Sequence, residues 1–284
     1  MKPKISIVIP VYNEGETIIT CLKAIEQLTT EPYEVIVVDN NSTDGSIKQL
    51  ESYPGVRLVS EPMQGVVHAR KTGFDLAQGE IIARIDADTI LPAGWLDEVT
   101  KIMIDNPNLT AVSGSCNYYD FLFSNLVNRI DRTLRLYMHR RLKQRTFLFG
   151  SNMALRKTSW DQVKSSLCSV SAIHEDMDLA IHLQELGHEV GFSKELIAGT
   201  SFRRIESGFI SFVKYSLVSP RTYARHHIQR RFYMYPIILF CWLVYAPAHF
   251  IYLFYSPEDH SYNFKNLLIR NLHKMRVDPT SNVV

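Results

Sequence analysis

Apolar, β-branched runs alternate with segments of helical periodicity along the first hundred residues, and this alternation limits the possible folds more than any other feature. The runs are ISIVI, EVIVVD, VRLVS and EIIARI. The first two are almost wholly apolar, which predicts strands buried on both faces of a sheet. A repeated strand–helix pattern favours parallel strands joined by right-handed crossovers. The sequence therefore predicts an α/β fold with a mostly parallel central sheet flanked by helices.

Polar loops follow three of these strands, namely PVYNEGE, DNNSTD and DADT. In parallel sheets, ligands bind beyond the carboxyl ends of the strands, so these loops predict one shared site. Asp86 and Asp88 lie in the third loop, one residue apart. Like charges this close are held either by solvent on an ordinary turn or by a cation. Their position at the end of a buried strand favours a cation such as Mg²⁺, which binds carboxylates together with substrate phosphates.

Other acids also occupy positions where chemistry is expected. Asp39 ends EVIVVD, where a carboxylate either accepts hydrogen bonds from a base or ribose or caps the following turn. In HEDMDL, Glu175 and Asp176 begin a predicted helix, and Asp178 lies on a different face. Such acids either complement the helix dipole or include a general base, and both interpretations stay open. The sequence has no GxGxxG after the first strand and no GxxxxGK[ST], which excludes a standard dinucleotide fold and a P-loop enzyme.

The formal net charge of the 284 residues is +2, which is too near neutral to indicate a nucleic-acid partner. Basic residues nevertheless cluster in MHRRLKQR (138–145) and RTYARHHIQRR (221–231). The four cysteines are far apart and form no CxxC pair, so neither a zinc site nor a disulfide framework is predicted. Reduced thiols fit a cytosolic compartment best, and the N-terminus does not resemble a signal peptide.

Residues 232–255, FYMYPIILFCWLVYAPAHFIYLFY, contain no Lys, Arg, Asp or Glu. The segment reaches the roughly 20 residues needed to span a bilayer. It is rich in Tyr and Trp, and basic residues precede it. These features predict a membrane-associating segment that holds the protein at the cytoplasmic face of the cell membrane. A single span, an interfacial helical hairpin and the buried core of a soluble cytoplasmic protein stay open as alternatives.

Five segments occur in an order and spacing that are specific in combination. They are SIVIPVYNEGETI, VIVVDNNSTDGS, ARKTGFDLAQGEIIARIDADT followed by PAGWL, GSNMALR and HEDMDL. With these segments, the chain closely resembles the family-2 glycosyltransferases of the GT-A fold over about residues 4–205. The resemblance implies a catalytic domain at residues 1–205, and residues 206–284 are expected to form a helical, apolar C-terminal extension.

The resemblance also implies that the enzyme uses a nucleotide-diphosphate sugar, a UDP-sugar first of all, and inverts its anomeric carbon with Mg²⁺ or Mn²⁺ as cofactor. Asp176 matches the catalytic base, and Glu175 would position the sugar or the acceptor. Asp88 would be the main metal ligand, and Asp86 would face the ribose and the metal. The residues implied to bind the nucleotide sugar are Pro10, Tyr12, Glu14, Asp39, Arg70, Asp86, Ala87, Gly150, Ser151 and Asn152.

Within this set, the resemblance implies that Asp39 hydrogen-bonds the base, expected to be uracil, and that Arg70 lies near the base or the phosphates. Residues 150–152 would line the sugar and acceptor pocket, and Trp95 would border the acceptor. Departures from the family pattern, such as Lys71 where many relatives have Asn, leave the donor identity open. The Q-x-x-R-W motif of processive synthases is absent, which favours transfer of a single sugar.

Two other functions stay open. A sugar nucleotidyltransferase would share the sheet and the metal-binding carboxylates, but it normally needs a Gly-rich, basic phosphate loop where this chain has the acidic PVYNEGET. A non-catalytic sugar-nucleotide-binding module would have no reason to keep both Asp88 and Asp176. The apolar C-terminal segment favours a lipid-linked acceptor or another glycan; no nucleic acid is expected, and the oligomeric state is not predicted.

Overall fold

A computed structural model describes residues 2–168, 173–256 and 261–264 of the chain. Its central sheet has seven strands: β1 (Ile5–Val11), β2 (Glu34–Asp39), β3 (Val56–Ser60), β4 (Ile81–Ile85), β5 (Leu109–Tyr118), β6 (Asn152–Arg156) and β7 (Glu189–Thr200). Their order across the sheet is β3-β2-β1-β4-β6-β5-β7. All except β6 run in the same direction. The predicted α/β fold with a mostly parallel sheet is confirmed.

Helices flank the sheet and then continue beyond it. They are α1 (Gly15–Glu26), α2 (Ser46–Glu51), α3 (Val66–Leu76), α4 (Trp95–Asp105), α5 (Ser124–Leu142), α6 (Lys157–Val163), α7 (Glu175–Glu185), α8 (Phe209–Ser216), α9 (Val218–Arg225) and α10 (Tyr235–Tyr252). A short hairpin of β8 (Tyr255–Ser256) and β9 (Ser261–Tyr262) follows α10.

The sheet is buried on both faces because side chains along each inner strand alternate between two apolar layers. On one face, Ile7 of β1 belongs to a cluster that includes Leu22 of α1 and Trp95 of α4. On the other face, Val8 belongs to a cluster formed with α3, α6 and α7. A Cβ atom at Gly73 of α3 would lie 2.3 Å from Val8 Cγ1. Glycine therefore lets α3 approach the sheet closely.

The reversed strand β6 pairs with β4 on one side and β5 on the other. The apolar character of FLFGSNMALR (147–156) predicts a strand over the whole segment, but β6 begins only at Asn152. The preceding Phe147 and Phe149 lie in a loop, where their rings pack edge to face with centroids 4.8 Å apart. Because β6 is reversed, its first residues lie at the edge where the parallel strands end. Residues 150–152 thereby reach the predicted site.

The apolar C-terminal segment forms one helix, α10, which continues through Pro247 to Tyr252. Pro236 lies in its first turn, where proline is tolerated because the first N–H groups of a helix have no partner within it. Three α10 side chains at seven-residue intervals, Ile238, Tyr245 and Tyr252, are buried against the rest of the chain. Residues 265–284, which are predicted to belong to the C-terminal extension, lie outside the described residues.

Candidate active site

The carboxyl edge of the sheet brings together acidic side chains that are distant in sequence. Glu14 follows β1, Asp39 ends β2, and Asp86 and Asp88 follow β4. The same edge receives Arg203, which begins a 3-10 helix shortly after β7 ends. The edge therefore combines the three polar loops that the sequence places in one site.

A buried arginine connects the loop after β4 to the start of α7. Arg84 belongs to β4 and is 3% exposed. Its Nη2 donates to Asp86 Oδ1 at 3.1 Å, and its Nη1 donates to Glu175 Oε1 at 2.8 Å. A guanidinium removed from water needs such compensating partners. The two contacts fix the first turn of α7 relative to Asp86.

Gly150 leaves the space that the Arg84 guanidinium occupies. A Cβ atom at position 150 would lie 1.6 Å from Arg84 Nη1, so any larger residue would displace the arginine. The backbone N–H of Gly150 also donates to Asp176 Oδ2 at 2.8 Å. Gly150 thus contacts both the buried arginine and the predicted base.

Glu175 and Asp176 are neighbours in sequence but have different electrostatic environments. Burial raises the pKa of Asp176, and the negative charge of Glu175 raises it further. Burial also disfavours ionised Glu175, but the positive charges of Arg84 and Arg70 outweigh it and lower the pKa of Glu175. Adjacent carboxyl groups whose pKa values move apart suit different tasks. Glu175 suits a permanent anion, and Asp176 suits a proton acceptor.

Arg203 forms an ion pair with Asp88, the second carboxylate of Asp86-Ala87-Asp88, which is called the DxD sequence here. Its Nη2 lies 2.8 Å from Asp88 Oδ2, and its Nη1 lies 2.8 Å from Glu14 Oε2. Glu14 and Asp88 are both largely buried, with side chains 11% exposed. The Arg203 guanidinium therefore compensates the negative charges of two acids from different loops.

The chemistry of Asp86 and Asp88 fits a divalent cation. Carboxylate oxygens are the ligands that Mg²⁺ and Mn²⁺ prefer, and phosphate oxygens of a donor would complete the coordination. Arg203 already contributes positive charge at Asp88. A cation bound there would therefore compete with the Arg203–Asp88 ion pair.

Asp39 contacts its own loop. Its Oδ1 accepts a hydrogen bond from the Ser42 N–H at 3.1 Å, which is the turn-capping interaction that one interpretation of the sequence anticipates. The neighbouring Asn40 donates to the carbonyl oxygen of Met63 at 2.7 Å and accepts from the Gly65 N–H. These bonds hold the loops after β2 and β3 together. A hydrogen bond from Asp39 to a nucleotide base stays a prediction.

Arg70 does not face the open edge of the sheet. It is 1% exposed, and its Nη1 donates to the backbone carbonyl oxygen of Glu175. Burial lowers the pKa of Arg70, although the charge of Glu175 counteracts this. The observed contact braces the first turn of α7, and the predicted contact with the base or the phosphates stays a prediction.

The remaining predicted donor-site residues differ in accessibility. Pro10, Tyr12 and Ser151 are half-buried at the edge, whereas Ala87 and Asn152 are buried. The side chain of Asn152 is occupied within the core. Its amide donates to two backbone carbonyl oxygens, and its Oδ1 accepts from the Trp95 indole N–H at 3.0 Å.

A cleft of about 530 Å³ lies beside the DxD loop. Trp95 lines it together with Ile90 and Tyr119. The Tyr119 hydroxyl donates to the backbone carbonyl oxygen of Asp88 at 3.0 Å. This hydrogen bond connects the wall of the cleft directly to the predicted metal ligand.

Sequence reasoning missed the parts played by two arginines. Arg84 interrupts the otherwise apolar EIIARI run, and a charge inside a buried strand requires a buried partner. That signal could have identified it. For Arg203, no local pattern indicates a pairing with Asp88, because the two residues are far apart in the chain. In the sequence, Arg203 is noticeable only because SFRRIES has arginines without the Trp of the absent Q-x-x-R-W motif.

The family model described as Glycosyl transferase family 2 matches residues 6–163. The chain belongs to this family. The matched span includes β1 to β6, and hence Asp86, Asp88 and Gly150. Glu175 and Asp176 lie beyond its end.

Most of the curated relatives of this family-2 chain are named glycosyltransferases. Glycosyltransferase AglE of Haloferax volcanii is 30% identical over 162 residues, which cover 55% of this chain and 53% of the relative. The amylovoran biosynthesis glycosyltransferase AmsB of Erwinia amylovora is 36% identical over 90 residues, covering 29% of this chain and 30% of the relative. The chain thus spans about half the length of one relative and less of the other. These matches support glycosyl transfer in general.

Solved structures share the fold at low sequence identity. A mannosyltransferase from Pyrobaculum calidifontis in complex with GDP-Man and Mn²⁺ has a TM-score of 0.64 and 20% identity, covering 96% of this chain and 79% of that one. S. aureus TarS 1–349 in complex with UDP-GlcNAc has a TM-score of 0.52 and 14% identity, covering 75% and 66%. The predicted GT-A type of fold is confirmed.

Proposed function

We propose that this family-2 glycosyltransferase transfers a single sugar, with inversion, from a nucleoside diphosphate sugar to a hydroxyl group of a lipid-linked or other glycan. UDP-sugars are the first proposed donors, and Mg²⁺ or Mn²⁺ is the proposed cofactor. Residues 1–205 form the proposed catalytic domain, and segment 232–255 of the C-terminal region 206–284 would hold it at the membrane. The observation that carries the proposal is the ion-pair chain Asp86–Arg84–Glu175, which ends next to Asp176.

This chain of contacts supports a common reaction centre for donor and acceptor. Arg84 is bonded to Asp86 on one side and to Glu175 on the other. Asp176 is further held by the Gly150 N–H. A base fixed in this way relative to the donor-binding carboxylates meets the requirement that reacting groups be held in position before reaction.

In the proposed reaction, ionised Asp176 accepts the proton of the acceptor hydroxyl. The hydroxyl oxygen bonds to the anomeric carbon as the bond from that carbon to the diphosphate oxygen breaks. The nucleoside diphosphate leaves with the electron pair. Attack from the opposite face inverts the configuration without a covalent enzyme intermediate, so one carboxylate base suffices, unlike in retaining glycoside hydrolysis. The raised pKa of Asp176 makes it a stronger base.

Asp88 and Asp86 would hold the divalent cation, whose charge stabilises the diphosphate leaving group. Arg203 pairs with Asp88 and would give up this ion pair when the cation binds. We propose that the loops after β1 and β2 contact the donor and that Asp39 hydrogen-bonds its nucleotide base. The residues retained in the proposed donor site are Pro10, Tyr12, Glu14, Asp39, Arg70, Asp86, Ala87, Gly150, Ser151 and Asn152. Since Arg70 and Asn152 are buried, we assign them a positioning role.

The cleft lined by Trp95, Ile90 and Tyr119 is the proposed acceptor site. Tyr119 in its wall donates a hydrogen bond to the Asp88 carbonyl oxygen. An acceptor in the cleft would therefore lie beside the donor diphosphate. Pockets that combine apolar walls with a few oriented polar groups suit small polar–apolar ligands such as glycans.

Apolar exposure on α10 supports attachment to a membrane surface. Leu239 and Leu243 are 55% and 70% exposed. Residues Gln229–Tyr252 are long and apolar enough to cross a membrane by length and composition alone. The opposite side of α10 is bonded to the catalytic part, as in the 2.9 Å hydrogen bond from the Tyr245 hydroxyl to the Ile205 carbonyl oxygen. A helix held along one side favours a position in the plane of the interface, so we propose peripheral attachment.

Positive charge beside α10 supports the cytoplasmic face. The basic clusters at 138–145 and 221–231 meet in space, because Arg230 Nη1 donates to the Leu142 carbonyl oxygen at 2.8 Å. The Arg141 guanidinium lies 5.8 Å from the Tyr233 ring centroid. Each basic residue near an anionic membrane surface contributes about 1 kcal/mol of attraction.

The decisive experiment follows nucleoside diphosphate release from a panel of UDP-sugars and GDP-sugars, with Mg²⁺ or Mn²⁺ and with chelator. Slow UDP release without acceptor, and product of inverted configuration by NMR with a lipid-linked acceptor, are expected. Preference for a GDP-sugar would show that the nucleotide base of the donor is guanine and not the proposed uracil. Pyrophosphate-dependent chemistry would support a nucleotidyltransferase, and no turnover with any sugar nucleotide would support a binding module. Family membership favours glycosyl transfer over both.

A further inference from the structure

Four side chains with metal-binding atoms meet on a side of α7 different from that of Asp176. They are Cys168, Asp178, His182 and His226, whose ligand atoms all lie within 4.8 Å of one another. Asp178 and His182 are one turn apart on α7, Cys168 precedes this helix, and His226 directly follows α9. Three separate parts of the chain therefore contribute to one cluster.

The separations between these atoms bracket those of a tetrahedral zinc site. His226 Nε2 lies 2.8 Å from Asp178 Oδ1, His182 Nε2 lies 3.5 Å from the same oxygen, and Cys168 Sγ lies 4.0 Å from His182 Nε2. Tetrahedral Zn²⁺ with ligand distances near 2.0–2.3 Å places its ligands roughly 3.3–3.8 Å apart. The observed distances fall on both sides of this range.

The contacts of His182 are those of a metal-binding histidine. Its Nε2 faces Asp178, and its Nδ1 lies 3.2 Å from Glu185 Oε2. The same Nε2 also lies 4.0 Å from Cys168 Sγ, so it faces a carboxylate and a thiol at once. With a metal, the Nε2 lone pair binds the ion while the Nδ1–H donates to Glu185. Such a carboxylate behind a histidine is the usual arrangement around zinc ligands.

The burial and charges of the cluster also favour a metal ion. The Asp178 side chain is 1% exposed, and the His226 and His182 side chains are 9% and 15% exposed. The Cys168 N–H donates to Asp178 Oδ2 at 2.9 Å, so Oδ1 is the oxygen directed at both histidines. One thiolate, one carboxylate and two neutral imidazoles together carry a charge of −2, which suits a dication, and the Arg225 guanidinium lies beside the Cys168 sulfur.

We propose that Cys168, Asp178, His182 and His226 bind a structural Zn²⁺ ion. Binding converts the Cys168 thiol to a thiolate and releases its proton to solvent. Four protein ligands leave no open position, which is typical of a structural site. The ion would fasten α7, whose first turn holds Asp176, to α9. The sequence did not predict this site because its ligands form no CxxC or comparable local motif.

The test uses the full chain, stripped of metal with a chelator and kept in excess Mg²⁺ to occupy oxygen-only sites. Titration with Co²⁺ is expected to give one equivalent with a thiolate charge-transfer band and strong visible absorption of tetrahedral type, and Zn²⁺ is expected to abolish both. Zn²⁺ is also expected to raise the melting temperature of the stripped protein. Cys168→Ser should lose the charge-transfer band, while Cys241→Ser should retain it.

Histidine variants supply a matched pair. His226→Asn should weaken zinc binding by about tenfold or more. His227→Asn should not, because His227 is exposed and adopts a φ of 55°, which Asn tolerates. The Co²⁺ titration and the Zn²⁺ melting temperature of the wild type decide the proposal even if a variant fails to fold. A Co²⁺ spectrum of octahedral type without a thiolate band, or a melting temperature unaffected by Zn²⁺, would overturn it.

Discussion

Asp176 and Glu175 occupy consecutive positions, yet their pKa values move in opposite directions. The folded-state pKa of Asp176 lies above its unfolded value, so ionising Asp176 costs stability. The free energy of unfolding therefore falls as pH rises from the unfolded to the folded pKa of this group. In the proposed reaction the ionised form acts as the base, so the proposed catalytic form is also the less stable one.

Asp176→Asn should lower turnover about 100-fold or more, because a general base is lost, and should leave UDP affinity unchanged. It should also raise the melting temperature at pH 7, because Asn carries no charge to bury. In the wild type, turnover should fall as pH drops through the raised pKa of Asp176. Calorimetry with UDP, thermal unfolding and a pH–rate profile measure these effects. An equal loss of affinity and turnover would show that Asp176 is structural.

Asp88→Asn should abolish metal-dependent transfer while the chain stays folded, because the variant loses a charged ligand outside the apolar core. Metal-dependent turnover and circular dichroism are the measurements. Asp105→Asn is the matched control, since Asp105 is exposed on α4 and distant from the edge of the sheet. Wild-type turnover by the Asp88 variant would refute the metal-ligand assignment.

At the scale of elements, α10 has two different sides. Tyr245 donates to the Ile205 carbonyl oxygen, and Trp242 Nε1 donates to Ser216 Oγ at 2.8 Å. Leu239 and Leu243 are largely exposed. Packing on one side and apolar exposure on the other are typical of a helix that lies in a membrane interface.

Replacing Leu239 and Leu243 together by Gln should weaken binding to vesicles with anionic lipid about 100-fold or more, because each leucine loses roughly 1.5–3 kcal/mol of apolar burial. Vesicle sedimentation measures the binding. Ile104→Gln is the matched control, because Ile104 is 55% exposed on α4. Unchanged binding by the double variant, or full solubility of the wild type at low salt without vesicle binding, would contradict the membrane proposal.

At the scale of the whole molecule, α10 is connected to the active site through hydrogen bonds and ion pairs. The Tyr252 hydroxyl donates to Asp120 Oδ2 at 3.1 Å, and Asp120 Oδ1 accepts from the Phe202 N–H at 2.7 Å. The next residue, Arg203, pairs with Asp88. The C-terminal helices therefore stabilise the segment that delivers Arg203 to the edge of the sheet.

A chain that ends at Ile228 should lose stability and activity together. The truncation removes the buried Tyr245 and Tyr252, and loss of one large core side chain alone costs about 3–5 kcal/mol. Denaturant unfolding and turnover on a soluble acceptor measure the two effects. A chain that ends at residue 264, which retains α10, is the control. Full stability of the shorter chain would show that residues 1–205 and the C-terminal region are independent units.

The sequence by itself determined the fold class, the family resemblance and the two acidic motifs. Apolar periodicity and the residues that end each strand are local properties, so they can be read from neighbouring positions. The sequence likewise predicted that Asp178 lies on a different helical face from Asp176. Helix geometry alone requires it.

Only the tertiary structure decided which residues meet. The Arg84–Glu175 and Arg203–Asp88 ion pairs and the cluster around Asp178 join residues that are far apart in the chain. The order of strands and the reversal of β6 bring them together, and no local pattern specifies that order. A buried charge must find an opposite charge, but which one it finds depends on the packing of the whole sheet.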